Sequence, residues 1–230
     1  MYFSPMNNLI VFALAPVVAV ILYIYVKDKY EKEPLWLLLL CFVFGAVVSV
    51  IITMIISALY EQALPLYYSD NIIQEFVRAF LVVALTEEFS KYVIVRYFAQ
   101  PKKDFNEPFD GIVYAVMVSM GFAATENIIY VLGGGYQVAL VRAFTAVPAH
   151  ATFGVLMGYF MGRAKFSPNR KLLNFCGLFL AVLFHGAYDF FLFINFIPGT
   201  WVGAFVSLAI GIFLSRKVIK KHQDNSQFRL

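Results

Sequence analysis

The chain has 230 residues, of which 61% are hydrophobic and 14% are charged, and its net charge is +4. Soluble domains average roughly 45–50% apolar and about 25% charged residues. The apolar residues also fall into blocks of about twenty, the length that spans a bilayer core. These features exclude a water-soluble globular protein and predict an all-α, polytopic membrane bundle in a single domain, residues 1–230.

The apolar blocks predict about seven membrane-spanning helices. They lie near residues 8–26, 35–60, 73–99, 111–132, 137–163, 172–194 and 199–216. Lys and Arg occur in the first, third and fifth connections and in the tail, whereas the second, fourth and sixth connections have none. By the positive-inside rule, this alternation predicts an N-terminus outside and a C-terminus in the cytoplasm. The basic tail is therefore interpreted as a topology signal, and no nucleic-acid binding is predicted.

The third predicted helix contains the ionisable residues Glu87, Glu88 and Lys91. A charged side chain at the centre of a membrane helix costs roughly 2.5–3.5 kcal/mol, so three together require compensation. Glu87 and Lys91 are four residues apart and can pair on one helix face. Glu88 points about 100° away. We therefore expect Glu88 to need a partner from another helix, or a proton.

The next three helices supply further ionisable residues. Glu126 is in the fourth, His150 in the fifth, and His185 and Asp189 in the sixth. His185 and Asp189 are one turn apart, so the carboxylate can fix the tautomer of the imidazole. So many buried ionisable groups normally mark a functional site. Helix polarity and residue counting predict that they meet in the outer half of the bilayer, within a catalytic core of about residues 73–194.

Small residues at four-residue spacing predict close packing of the fourth and fifth helices. One ridge contains Gly111, Ala115, Ser119 and Ala123, and the other contains Ala146, His150, Gly154, Gly158 and Gly162. Such ridges let two backbones approach closely. They are expected to bring His150 toward the carboxylates.

Peptide hydrolysis fits this set of residues. It needs a base that activates water and a donor that stabilises the oxyanion. A glutamate paired with a histidine can supply the first, and a histidine held by an aspartate can supply the second. The chain has no HExxH motif, the usual zincin signature. A zinc site built from His150, His185 and Glu126 nevertheless remains open, and no cofactor is assigned.

Two functions from other classes remain as alternatives to hydrolysis. Ion- or proton-coupled transport is one, because proton relays also use buried Glu, His and Asp residues. The other is a noncatalytic membrane scaffold.

At these residues the sequence resembles the PrsW family of intramembrane proteases. That family lies within the superfamily of type II CAAX prenyl endopeptidases and bacterial Abi proteins. The matching segments are KDKYEKEP (27–34), EEFSK (87–91), FDGIVYAVMVSMGFAATENIIY (109–130), RAFTAVPAHATFGVLMGYFMGRAKF (142–166) and HGAYDF (185–190). Ala115 departs from the family pattern, where Gly is expected.

The resemblance implies a glutamate-type intramembrane endopeptidase of the bacterial plasma membrane, with a CAAX-protease-like core. It implies that one motif-one glutamate, Glu87 or Glu88, activates water together with a histidine, and that His185 and Asp189 line the oxyanion side. The other implied site residues are Glu126 and His150, with Lys91 and Asn127 in support. The implied partners are membrane lipids and a single-pass substrate of the anti-sigma-factor type, cut first near its outer end.

Overall fold

The computed structural model describes residues 5–63 and 70–229. The described residues form helices and no strand. In chain order the helices are α1 (Pro5–Lys27), α2 (Leu35–Phe44), α3 (Val50–Ala63), α4 (Ile72–Val77), α5 (Leu85–Ile94), α6 (Pro108–Phe144), α7 (Ala146–Lys165), α8 (Arg170–Phe193) and α9 (Trp201–Asp224). The π-helical segments Gly45–Ser49 and Arg78–Ala84 join α2 to α3 and α4 to α5, and Val95–Ala99 follows α5. The predicted all-α class is confirmed.

Five segments of the described residues are long and apolar enough to cross a bilayer. They are Asn8–Lys27, Leu35–Ala63, Pro108–Lys165, Arg170–Phe193 and Trp201–Asp224. The predicted fourth and fifth spans both lie within Pro108–Lys165. The predicted third span, 73–99, is helical but carries too many charged residues to belong to this set. A helical membrane bundle is thus confirmed, while the count of seven stays a prediction.

The helix is kinked at Gly135, whose φ of 69° is readily adopted only by glycine, and this kink lies in the predicted connection between the fourth and fifth spans. The predicted fifth span, 137–163, is itself interrupted at Thr145, which ends α6 and precedes α7. Residues 136–144 therefore form a short return segment, and α7 is a separate helix. Pro148 lies in the first turn of α7, where its missing N–H leaves no helical hydrogen bond unmade.

The two predicted ridges of small residues pack against each other. A Cβ atom built on Gly158 would lie 2.3 Å from the carbonyl oxygen of Gly111, and one on Gly162 would lie 2.0 Å from that of Pro108. Ser119 Oγ also donates a hydrogen bond to the carbonyl oxygen of His150 at 2.7 Å. Backbones this close admit only small residues between them. This packing sets the depth of His150 relative to α6.

At one end of the bundle, side-chain hydrogen bonds link several of the segments that connect the helices. Asn106 Nδ2 donates to Glu31 Oε1 at 2.8 Å, and Lys165 Nζ donates to the carbonyl oxygen of Lys102 at 2.5 Å. The tail is tied to the same end, because Gln223 donates to the carbonyl oxygen of Lys27. We call the connections 28–34, 100–107 and 166–169 with the tail 216–229 the basic end. The predicted topology makes it the cytoplasmic end.

Buried carboxylates lie at the basic end. Asp28 and Glu33 are 1% and 3% exposed. Burial raises the pKa of Asp28 from 3.8 to about 6, and burial beside Asp110 raises the pKa of Glu33. At neutral pH, Asp28 is therefore mostly ionised in a site that disfavours the charge.

We expect Asp28→Asn to raise the melting temperature at about pH 8 and to change it little at about pH 4. A raised folded-state pKa means that the carboxyl contributes stability below its unfolded value of 3.8, and that this contribution is lost as the pH rises through about 6. Melting temperatures in detergent across this range test the expectation. Asp70→Asn, at an exposed position, is the matched control. If Asp28→Asn raises the melting temperature equally at both pH values, or does not raise it at about pH 8, the expectation is contradicted.

Candidate active site

Ionisable side chains from three helices converge in the interior of the bundle. Atoms of Glu87, Glu88, His150 and His185, one from each side chain, lie within 4.8 Å of one another. The remaining predicted site residues adjoin this group: Glu126 Oε2 lies 2.8 Å from His150 Nε2, and Asp189 Oδ2 lies 3.2 Å from His185 Nε2. The structure thus brings all six predicted site residues together.

Lys91 lies at the centre of this group. Its Nζ atom is 2.7 Å from Glu88 Oε1, 3.5 Å from Glu87 Oε2 and 3.2 Å from His150 Nδ1. The predicted pairing of Lys91 with Glu87 is present, and Glu88 lies closer still. Glu88 is fully enclosed, and its Oε1 also accepts a hydrogen bond from His185 Nδ1 at 2.8 Å. This bond confirms the predicted need of Glu88 for a partner on another helix.

Hydrogen-bond partners assign different forms to the two histidines. Both ring nitrogens of His185 face carboxylate oxygens, those of Glu88 and Asp189. Two N–H donors satisfy both contacts, and a ring with two N–H donors is a cation. His150 Nδ1 accepts from the Lys91 ammonium, so its Nε2 carries the hydrogen donated to Glu126. His150 is accordingly neutral.

Aromatic side chains hold these groups in place. Phe153 stacks on His185 with ring centroids 4.8 Å apart and an interplanar angle of 16°. Lys91 Nζ lies 4.2 Å from the ring centre of Phe122, a cation–π contact. The rings surround the charges with apolar surface, which strengthens their mutual attraction.

Sequence reasoning missed Arg142. The return segment places its guanidinium 2.7 Å from Glu126 Oε2 and its Nε 2.6 Å from Asn127 Oδ1. Asn127 in turn donates to the carbonyl oxygen of Ala13 at 3.0 Å, so its support of the site passes through Arg142. The sequence did contain a signal for this residue. Arg142 lies inside a predicted membrane span, where a charged arginine costs as much free energy as a buried glutamate and so indicates a functional or paired group.

A cavity of about 580 Å³ opens onto the cluster. Glu87, Glu126, His150, His185 and Asp189 line it, and Glu88 does not. The side chain of Glu87 is 12% exposed, whereas that of Glu88 is 0% exposed. The cavity lies where α7 and α9 begin and α8 ends, because its lining includes Ala146, Trp201 and Phe193. This end of the bundle is opposite the basic end.

The donor types of the cluster, and the 4.8 Å within which four of its ligand atoms lie, are compatible with a metal ion. Two histidines and two carboxylates are a usual zinc-binding set. However, the Lys91 ammonium contacts Glu87, Glu88 and His150, and so holds the position that a cation would need. The zinc set considered from the sequence is not assembled either. Glu126 contacts Nε2 of His150, while Lys91 lies at Nδ1 on the other side of the ring.

Comparisons with known proteins show which family this chain resembles. The family model described as PrsW family intramembrane metalloprotease matches residues 33–215. Protease PrsW of Geobacillus kaustophilus is 39% identical over 214 residues, which cover 93% of this chain and 92% of the relative. Protease PrsW of Bacillus subtilis is 39% identical over 182 residues (78% and 80%), and that of Clostridioides difficile is 32% identical over 231 residues (96% and 93%). No solved structure matches the chain.

Both the family match and the relatives extend over most of the chain, including the helices that carry the cluster. The chain therefore belongs to the PrsW family of intramembrane proteases and is a peptidase.

Proposed function

We propose that this peptidase cuts a single-pass membrane protein by a glutamate-type mechanism in which Glu87 activates water. The observation that carries the proposal is the difference between two adjacent glutamates. Glu87 lines the cavity, whereas Glu88 is enclosed and bonded to Lys91 and His185. A general base must reach the proton that it removes. Glu87 meets this condition.

The first chemical step takes place beside the Glu87 carboxylate. Glu87 lines the cavity, and its Oε2 lies 4.0 Å from His185 Nε2, so we propose that a water molecule from the cavity binds at this carboxylate next to the imidazole. Glu87 takes one proton from the water molecule while the oxygen of that water attacks the carbonyl carbon of the substrate. A C–O bond forms, and the carbonyl oxygen becomes an oxyanion.

His185 stabilises that oxyanion in the proposed mechanism. Its Nδ1–H is held by Glu88, and its Nε2–H, which Asp189 accepts at 3.2 Å in the free enzyme, passes from Asp189 to the oxyanion in the proposed step. A preorganised cationic donor in an enclosed site lowers the energy of the developing negative charge. Glu87 then returns its proton to the leaving nitrogen, and the C–N bond breaks.

The remaining residues of the cluster act as positioning residues. Lys91 stabilises the ionised form of Glu87 at 3.5 Å and orders Glu88 and His150. Arg142 holds Glu126, which fixes the ring of His150 at the cavity wall. These contacts keep the catalytic groups within the narrow geometry that hydrolysis requires.

The substrate is proposed to be a membrane-spanning anti-sigma factor, the class that the family resemblance implies. A peptide bond inside a helix is engaged in backbone hydrogen bonds and must be freed before attack. Helices unwind most readily near their ends. Because the cavity lies opposite the basic end, we propose that the first cut falls near the extracytoplasmic end of the substrate helix.

Purified protein reconstituted with a single-pass anti-sigma factor tests this proposal, with the new termini mapped by mass spectrometry. We expect one main cut near the end of the substrate helix that lies opposite its cytoplasmic domain. His185→Ala should lower the rate by about 10²–10³-fold, because it removes the oxyanion donor. Ser207→Ala, on α9 and outside the cavity lining, is the control. A main cut at the cytoplasmic end, or undiminished cleavage by His185→Ala, contradicts the proposal.

A further inference from the structure

Two adjoining cavities lie away from the active site, between α1 and α9. One is a groove of about 330 Å³ between α1, α7 and α9. The other is a pocket of about 580 Å³ at the basic end. Both are lined by Tyr23, Arg216 and Ile219, so the groove leads directly into the pocket.

The pocket at the basic end is strongly cationic. Five of its lining residues are basic, and one, Asp224, is acidic. The carboxylate of Asp224 already accepts a hydrogen bond from Arg229 at 2.9 Å. The basic residues are Lys27, Lys29, Arg216, Lys220 and Arg229. Charges of one sign in a concave site attract an anion more strongly than the same charges spread over a flat surface.

The groove is mainly apolar, with one unusual polar group. Ala19, Val20, Ala151, Val155 and Ile212 contribute to its lining. α7 lies between the groove and the active site, because Ala151 and Val155 line the groove whereas other residues of the same helix, such as His150, line the catalytic cavity. A molecule in the groove therefore does not compete directly with substrate.

Ser215 lies beside Arg216 in the wall of this groove. Its side chain is 6% exposed, and its hydroxyl has no hydrogen-bond partner within residues 5–63 and 70–229. A buried hydroxyl without a partner is costly and needs an explanation. An ester or phosphate oxygen of a bound molecule would satisfy it.

We propose that the groove and the pocket together bind one anionic diacyl phospholipid from the leaflet at the basic end. The phosphate lies among Arg216, Lys220 and Lys27, and an acyl chain occupies the groove beside Ala151. The cations of the pocket match the phosphate of such a lipid, and the apolar groove matches an acyl chain. The hydroxyl at their junction matches an ester oxygen between the two. Basic pockets between membrane helices bind anionic lipid headgroups for this reason.

Lipid titration of the detergent-solubilised full chain tests the proposal, with melting temperature and native mass spectrometry as readouts. Phosphatidylglycerol should raise the melting temperature by several degrees, and phosphatidylcholine should not. Arg216→Gln with Lys220→Gln should weaken phosphatidylglycerol binding about thirtyfold, since each basic residue near an anionic lipid contributes roughly a factor of five.

Two further variants separate a specific site from general surface charge. Lys217→Gln with Lys221→Gln removes two charges from the same helix outside the pocket, and should keep the wild-type response. Ala151→Leu fills the groove without changing any charge, and should lose the response while the lipid-free protein still unfolds cooperatively. Equal stabilisation by both lipids, equal losses in the two charge variants, or an unchanged response of Ala151→Leu would overturn the proposal.

Discussion

Glu87→Gln is expected to lower the rate of substrate cleavage by about 10²–10⁴-fold, the usual contribution of a general base. Glutamine keeps the size of the side chain but cannot accept a proton from water at neutral pH. The substitution removes only the longer contact of Lys91, at 3.5 Å, and leaves Glu88 paired with the same ammonium at 2.7 Å, so it should cost less stability than a change at Glu88. The rate is measured with purified variants and a single-pass substrate, and the fold is checked by melting temperature.

Glu88→Gln provides the comparison for this variant. Glu88 contacts Lys91 and His185 and does not reach the cavity. We therefore expect a substantial loss of stability together with a loss of activity that follows from misplacement of His185. If Glu87→Gln stays within about tenfold of the wild-type rate while a well-folded Glu88→Gln is inactive, the assignment of the base is wrong.

Lys91→Met should lower the free energy of unfolding by about 3–5 kcal/mol, the usual cost of breaking a buried ion pair by removing one partner. Glu87 and Glu88 would lose the ammonium at 3.5 Å and 2.7 Å, and among the residues that the structure describes only His185 offers Glu88 another cationic contact this short. The loss is measured by unfolding in mixed micelles. Lys217→Met, at an exposed position on α9, is the control and should be neutral.

The double variant Glu88→Gln with Lys91→Met tests the physical cause. It removes both charges of the pair, while the glutamine oxygen can still accept the hydrogen bond from His185 Nδ1. We expect it to regain part of the lost stability without regaining activity. A double variant less stable than Lys91→Met alone would show that the ion pair is not the source of the effect.

The sequence was sufficient to predict the membrane bundle and the residues that meet in it. The cost of a buried charge explains this success, because Glu88, His150 and His185 can be accommodated only if each finds a partner. The ridges around Gly158 and Ser119 were also predictable, since four-residue spacing of small side chains has few other uses in a membrane helix.

Features that depend on the position of a distant helix could not be predicted. Glu87 and Glu88 are adjacent, so only the placement of α8 determines which one faces the cavity and which one meets His185. Arg142 reaches Glu126 because the chain reverses near Gly135, in a predicted connection, and α6 then ends at Thr145, a break that helical periodicity does not reveal. The break at Thr145 explains why the predicted fifth span differs from α7.

Metal content measured together with activity tests the central claim most directly, namely that Glu87 activates water at a site where Lys91 supplies the cation. The purified wild-type enzyme is analysed for bound metal by mass spectrometry and assayed before and after treatment with a strong chelator. We predict full cleavage activity with substoichiometric metal, and no loss on chelation. Stoichiometric zinc, with activity lost on chelation and restored by zinc, would contradict the mechanism.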